Sequence, residues 1–144
     1  MVFATTDNLA VLKTRISEPI GFICADGTAI TKGQLLKLTS PQTAIISSAV
    51  NEMIAGIAAR DKVASDGRTQ IAVFREGVFL MYCSGTVAIG DPIVSAATGT
   101  YPNYVQSATT LTSGAVLIGT ALMSGTNGQQ IRIQLSCGSG GGAL

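Results

Sequence analysis

Two stretches decide the fold: Asp66-Gly67-Arg68-Thr69-Gln70-Ile71-Ala72-Val73 at residues 66–73, and Asn127-Gly128-Gln129-Gln130-Ile131-Arg132-Ile133 at residues 127–133. Each begins with a dipeptide of the kind that closes β-hairpins. Each continues with apolar residues at every second position, which is typical of a strand with one buried face. The second stretch extends this alternation, so Ile131, Ile133 and Leu135 are predicted to face a core.

The two stretches end two copies of a weak internal repeat. The copies comprise residues 31–36, 54–58 and 66–73, and residues 88–93, 117–121 and 127–133. Their glycines match at intervals of about sixty residues, in the pairs Gly33 and Gly90, Gly56 and Gly119, and Gly67 and Gly128. Two copies are too few for a solenoid, so we expect two units that together close one small barrel. Chance similarity between glycine-rich β sequences is the alternative.

Short strands separated by turns predict an all-β fold, namely a single small β-barrel or sandwich in two repeat-like halves. Residues 47–60 are ambiguous, because they could form a capped helix or a strand at 54–58; the repeat favours the strand. Glu76-Gly77 and Ser84-Gly85 are weaker turn signals.

The sequence divides into an extended N-terminal arm at 1–19, a β-barrel domain at 20–136 and a flexible glycine-rich tail at 137–144. The arm has strand character and could add to the edge of a partner's sheet. It could equally be the first strand of the barrel itself. Its candidate partner-binding residues are Leu9, Val11, Leu12, Lys13, Arg15 and Ile16.

Composition excludes several classes of function. Charged residues are 12% of the chain, the net charge is +1 and there is no histidine. A nucleic-acid-binding footprint is therefore missing, as is the commonest general base and metal ligand. We also expect no membrane span, no targeting segment and no small-molecule substrate. Residues 92–131 carry no charge; they form either a polar soluble surface or one that faces other protein.

The sequence contains no clear catalytic or metal-binding pattern. Cys24, Cys83 and Cys137 are widely spaced, which indicates reduced thiols rather than disulfides or a zinc site. Asp61 and Asp66 are the nearest carboxylate pair, and a solvated loop explains them better than glycosidase chemistry. We expect no cofactor, no metal and no catalytic residues.

One further pair of residues is a candidate for partner binding. Tyr101 and Tyr104 lie in an uncharged loop, where they could form an interaction tip or simply pack.

The order of several motifs along the chain resembles a known family. They are Ile30-Thr31-Lys32-Gly33-Gln34-Leu35-Leu36, Ile54-Ala55-Gly56-Ile57-Ala58, Glu76-Gly77-Val78-Phe79, Gly90-Asp91-Pro92-Ile93-Val94, Ile118-Gly119-Thr120-Ala121-Leu122 and Ile131-Arg132-Ile133-Gln134-Leu135. Over roughly residues 20–135, this pattern resembles the small β-barrel capsid decoration (cement) proteins of tailed bacteriophages. The resemblance implies a non-enzymatic protein on the outside of an icosahedral head, commonly trimeric at local threefold positions, with no cofactor.

The resemblance therefore implies a structural protein that binds the major capsid protein and bridges neighbouring capsid subunits. We expect a homotrimer, made in the host cytoplasm and located on the outer surface of the virion capsid. The alternative is a receptor- or glycan-binding β-module of a virion, such as a head fibre base or a lectin-like barrel. The chain is only 5% aromatic and has no tryptophan, which favours the structural role over glycan binding. An enzyme using carboxylates alone is a third alternative.

Overall fold

The computed structural model describes residues 8–98, 102–111 and 114–137, and the regular secondary structure of these residues is almost entirely β-strand. The strands within the described residues are β1 (Val11–Arg15), β2 (Ile20–Ile23), β3 (Leu35–Ser40), β4 (Thr43–Ile46), β5 (Ile54–Ala58), β6 (Gln70–Phe74), β7 (Glu76–Tyr82), β8 (Pro92–Ser95), β9 (Val105–Ser107), β10 (Gly119–Ala121) and β11 (Gln130–Ser136). One short 3-10 turn, Ala108–Thr110, follows β9.

The strands form two sheets rather than one barrel. Strands β2 to β6 close a five-stranded barrel in the order β2-β4-β3-β5-β6, and the other six form a sheet in the order β1-β7-β11-β10-β8-β9. The all-β prediction is confirmed. The expectation that both halves close one barrel together was wrong, because the first half already closes on itself through β2, which pairs with both β4 and β6.

The internal repeat is confirmed in the strand order. Apart from β1, the second sheet runs β7-β11-β10-β8-β9, which matches β2-β6-β5-β3-β4 of the barrel strand for strand. The parallel contact that closes the barrel, Ile23 with Thr43, has a counterpart in the bridge between Cys83 and Val105. We call residues 20–74 the first unit and residues 76–136 the second unit.

Local expectations from the sequence are largely confirmed. Ile131, Ile133 and Leu135 are buried on one face of β11. The ambiguous segment contains strand β5 and no helix. Gly77, in contrast, is not in a turn: it lies within β7, with φ of +155°, where β1 passes close by. A side chain there would lie 3.2 Å from the carbonyl oxygen of Thr14, so this glycine serves a close approach of two strands.

Strand β5 separates two hydrophobic cores. All five of its residues are buried. One core fills the barrel and consists of Phe22, Cys24, Ile30, Leu36, Ala44, Ala55, Ala58, Ile71 and Val73. The main core lies between the two units and consists of Ala10, Leu35, Ile54, Ile57, Phe74, Phe79, Met81, Cys83, Val87, Ile93, Val105, Ile118, Ala121, Ile131, Ile133, Leu135 and Cys137. The units are therefore joined by a shared core, which includes Cys137 from the segment assigned to the tail.

Polar contacts also join the two units. Asn103 Oδ1 accepts the backbone N–H of Leu35 at 2.9 Å. The backbone N–H of Glu52 donates to Ser95 Oγ at 2.8 Å, and Asn51 Oδ1 accepts the N–H of Val116 at 2.7 Å. These side chains satisfy backbone groups that would otherwise be left unpaired at the junction.

Glycines at matching positions allow close packing in both units. A Cβ at Gly56 would overlap the carbonyl oxygen of Phe74, and a Cβ at Gly119 would overlap that of Gln134.

We expect Gly56→Ala and Gly119→Ala each to lower the free energy of unfolding by about 2 kcal/mol through overpacking. Urea denaturation measures this. Gly27→Ala is the control, since nothing lies within 4 Å of its Cβ position; an equal loss there would contradict the argument.

Candidate interaction surface

Strand β1 carries most of the candidate residues and lies at the edge of the six-stranded sheet. It pairs antiparallel with β7, from Val11 opposite Leu80 to Arg15 opposite Gly77. Among the described residues, no strand pairs with its other edge. The structure thus places this segment in the protein's own sheet and leaves one row of backbone groups available for strand addition.

The side chains of the arm are divided between core and solvent. Leu12 packs against the main core, and Leu9 is half-buried. Val11 and Ile16 are 46% and 49% exposed. The pairing with β7 shifts between Leu12 and Thr14, so the simple alternation expected from the sequence breaks at this bulge.

The charged side chains of β1 face solvent. Lys13 and Arg15 are exposed, and Arg15 pairs with Glu18 at 2.9 Å in an equally exposed ion pair. Such a pair contributes little to stability because water screens it. The two cations are therefore available to a partner at the sheet edge.

The aromatic residues give no exposed platform within the described chain. Tyr104 is 8% exposed and stacks on Tyr82, with 5.7 Å between ring centroids. This is the packed-loop arrangement, in which the ring of Tyr104 lies against the ring of Tyr82. Tyr101 lies outside the described residues.

The second unit has a surface with few charges. Only Glu76, Asp91 and Arg132 are charged in residues 76–136. One corner of this surface, the apolar tip, consists of Ile89, Leu122 and Met123, which are 69%, 40% and 40% exposed. The N–H of Ile89 donates to Ser124 Oγ at 3.0 Å, which holds the two loops of this tip side by side.

A second apolar feature is a groove where the two units meet. It is lined by Leu38, Met53, Ile54, Arg75, Val116, Leu117, Ile118 and Cys137. Met53 is the most open of the apolar residues there, at 63% exposure. The apolar tip belongs to the sparsely charged second unit, whereas the groove is lined by residues of both units and includes Arg75.

The match to a family model decides which family this arrangement represents. The model, described as "Structural cement protein (E217 gp24/Pam3 gp6)", matches residues 4–136. The chain belongs to the family of phage structural cement proteins. No curated protein matches the sequence significantly. The match covers β1 and all strands of both units, so the arm belongs to the family's sequence pattern together with the barrel.

Asp66, one of the two carboxylates considered for acid catalysis, forms an ion pair inside the protein. Lys62 is almost fully buried and its Nζ contacts Asp66 at 2.9 Å and Asp26 at 3.4 Å. Burial alone would lower the pKa of Lys62, but its hydrogen bonds to Asp66 and Asp26 outweigh this and raise it. The Arg68 N–H and Lys62 lower the pKa of Asp66. A general acid needs the opposite shift.

Glu52 occupies a similar structural position near the junction of the units. Its carboxylate accepts hydrogen bonds from Lys37 Nζ at 2.8 Å, Ser47 Oγ at 2.7 Å and the N–H groups of Ser48 and Ala49. Burial alone would raise the pKa of Glu52, but these donors together lower it. The residue therefore organises the connection between β4 and β5.

The remaining reactive side chains are three cysteine thiols. Cys24, Cys83 and Cys137 are free and buried, and burial raises the pKa of Cys137 to about 12. No cluster of three metal-ligating side chains occurs in the described ranges. The described part of the chain also has no helix with the length and apolarity of a membrane span.

Sequence reasoning missed the apolar tip. Ile89 entered the sequence analysis only as part of the repeat and Leu122 only as part of a family motif, and Met123 was not singled out. The available signal was the comparison of the two copies, because positions that are charged in one copy are apolar in the other.

We expect Glu52→Gln to make stability less dependent on pH. A carboxylate with a lowered pKa stabilises the folded state fully above its unfolded-state pKa, about 4.3, and loses this effect as the pH falls through the folded-state pKa. The difference in free energy of unfolding between the parent and Glu52→Gln should therefore be largest near pH 7 and shrink at pH 3. Urea denaturation at both pH values measures it.

Glu18→Gln is the matched control, since its ion pair is exposed. A difference for Glu52→Gln that stays constant between pH 7 and pH 3 would contradict the assigned role of the carboxylate.

Proposed function

We propose that the protein binds the outer surface of a phage capsid through the major capsid protein, bridges neighbouring capsid subunits and has no enzymatic activity. Family membership supports a structural, capsid-associated role. The absence of histidine and the lowered pKa of Asp66 agree with a role that needs no acid–base group.

The observation that carries this proposal is the unequal distribution of charge between two units of the same fold. Most charged side chains lie before residue 77, whereas residues 92–131 have none. A monomer surface normally keeps charges spread over it for solubility. A sparsely charged unit is suited to burial against another protein. Because the chain belongs to the phage cement family, we take the capsid to be that protein.

Bridging needs a second contact, and the outer edge of β1 provides one. A strand from a neighbouring subunit could pair with this edge and gain main-chain hydrogen bonds. Lys13 and Arg15 would lie at the rim of such a contact, where they would steer and orient the partner more than they would strengthen binding. The apolar contact and the edge contact together would connect two subunits.

A closed homotrimer is part of the same proposal. The resemblance noted from the sequence implies threefold positions on the head, and closed symmetry prevents open-ended polymerisation through apolar surfaces. Sedimentation equilibrium of the free protein tests whether the trimer forms before it binds the capsid.

Co-sedimentation with cognate capsids that lack the protein tests the function itself. We expect saturable binding and a higher temperature of capsid disruption in its presence, because a ligand that binds only the intact shell stabilises that shell. Capsids that neither bind the protein nor gain thermal resistance would overturn the proposal.

A charge reversal tests the edge contact. We expect Lys13→Glu to weaken capsid binding several-fold at low salt, and less at high salt, because exposed charges are screened. The melting midpoint should stay the same, since Lys13 is exposed. Arg68→Glu, an equal charge change at an exposed site of the first unit, is the control and should bind like the parent. Equal effects of both variants would show only a general electrostatic attraction.

A further inference from the structure

The repeat places the same pair of loops in both units. In the first unit the Gly33 N–H donates to Ala58 O at 2.9 Å, and in the second the Gly90 N–H donates to Ala121 O at 2.8 Å. A side chain then fastens the loops in each unit. Asp61 Oδ1 accepts the Lys32 N–H at 2.7 Å, just as Ser124 Oγ accepts the Ile89 N–H.

A third contact makes the match complete. Gln34 Oε1 accepts the N–H of Thr31 at 2.8 Å, and Asp91 Oδ2 accepts the N–H of Ala88 at 3.0 Å. The two loop pairs therefore share one backbone design, with the same donors and acceptors at equivalent positions.

The side chains on these equivalent loops have opposite chemistry. The first unit exposes Lys32, Arg60 and Asp61, which we call the charged tip. The positions that correspond to them in the second unit hold Ile89, Met123 and Ser124. Leu122 lies beside them, so the apolar tip carries none of the charges of its counterpart.

The fold of these loops does not require apolar side chains at the tip. The charged tip shows that the same loops form with three charged, solvated side chains. Ile89 at 69% exposure buries little of its surface within the chain, so it contributes little to the core. Three neighbouring apolar side chains that are 40–69% exposed are typical of a protein interaction site.

We propose that the apolar tip is the surface that contacts the capsid protein, and that the charged tip remains in solvent. This inference rests on the proposed function and specifies which surface carries it. The partner surface should be apolar, with a carboxylate near its edge. Arg132 supports the last point, because it is exposed, lies across the strand pair from Leu122 and has no ion-pair partner in the described chain.

The test transfers the charged tip onto the second unit. The variant Ile89→Lys/Met123→Arg/Ser124→Asp places there the residues that the same loops already accommodate in the first unit. The reverse variant, Lys32→Ile/Arg60→Met/Asp61→Ser, is the matched control. The single variant Ile89→Lys changes one highly exposed residue and provides the same test with the smallest effect on folding.

Co-sedimentation with cognate capsids that lack the protein is the measurement. We expect the parent and the reverse variant to bind equally, and the triple variant and Ile89→Lys to bind about tenfold more weakly or worse. Circular dichroism and the melting midpoint should be unchanged in all four proteins.

Three outcomes would overturn the inference. If the triple variant and Ile89→Lys bind like the parent, the apolar tip is not the capsid contact. If these variants instead reduce the mass of the free protein in sedimentation, the tip binds a second copy of this chain. If the parent itself does not bind capsids, the proposed function fails first, and this inference fails with it.

Discussion

Strand β5 has no face toward solvent, and the rest of the structure depends on this constraint. Ile54 and Ile57 extend into the main core, while Ala55 and Ala58 extend into the narrower interior of the barrel. A wall between two cores must be apolar on both sides, with small residues toward the tighter space. Gly56 completes the wall, because only a residue without a side chain lets β6 approach so closely.

The second unit has the same internal packing as the first but different residues on its surface. Gly119 stands at the position of Gly56 and contacts β11 in the same way. Packing therefore restricts which residues can occupy the interior of both units, whereas it places no such restriction on their exposed loops. The loops of the first unit expose charged side chains, whereas the equivalent loops of the second unit expose Ile89 and Met123. The molecule thus contains two units of similar fold with different surfaces.

Sequence patterns predicted the elements better than their assembly. Alternation located Ile131 and Ile133 correctly, because a period of two follows directly from strand geometry. It could not show that the halves form two sheets, since the pattern marks a buried face without saying which core that face enters. Gly77 was taken for a turn signal because a glycine required by a neighbouring strand looks the same in sequence. The burial of Lys62 was missed, because its partners Asp26 and Asp66 come together only in the folded barrel.

On the candidate surface, the sequence indicated the arm and the uncharged segment. The apolar tip became visible only when equivalent loops of the two units were compared in the structure.

The pairing of β1 with β7 has a consequence for the order of folding during synthesis. The ribosome makes residues 11–15 early, but their partner strand is complete only after residue 82. At about 5–20 residues per second, β1 waits roughly 3–13 seconds for that partner. Leu35, Ile54 and Phe74 are covered only by side chains of the second unit, so this wall of the barrel waits longer than β1 does. Nascent chains of this protein therefore expose an unpaired strand until β7 has formed, and an apolar barrel wall until the second unit has folded.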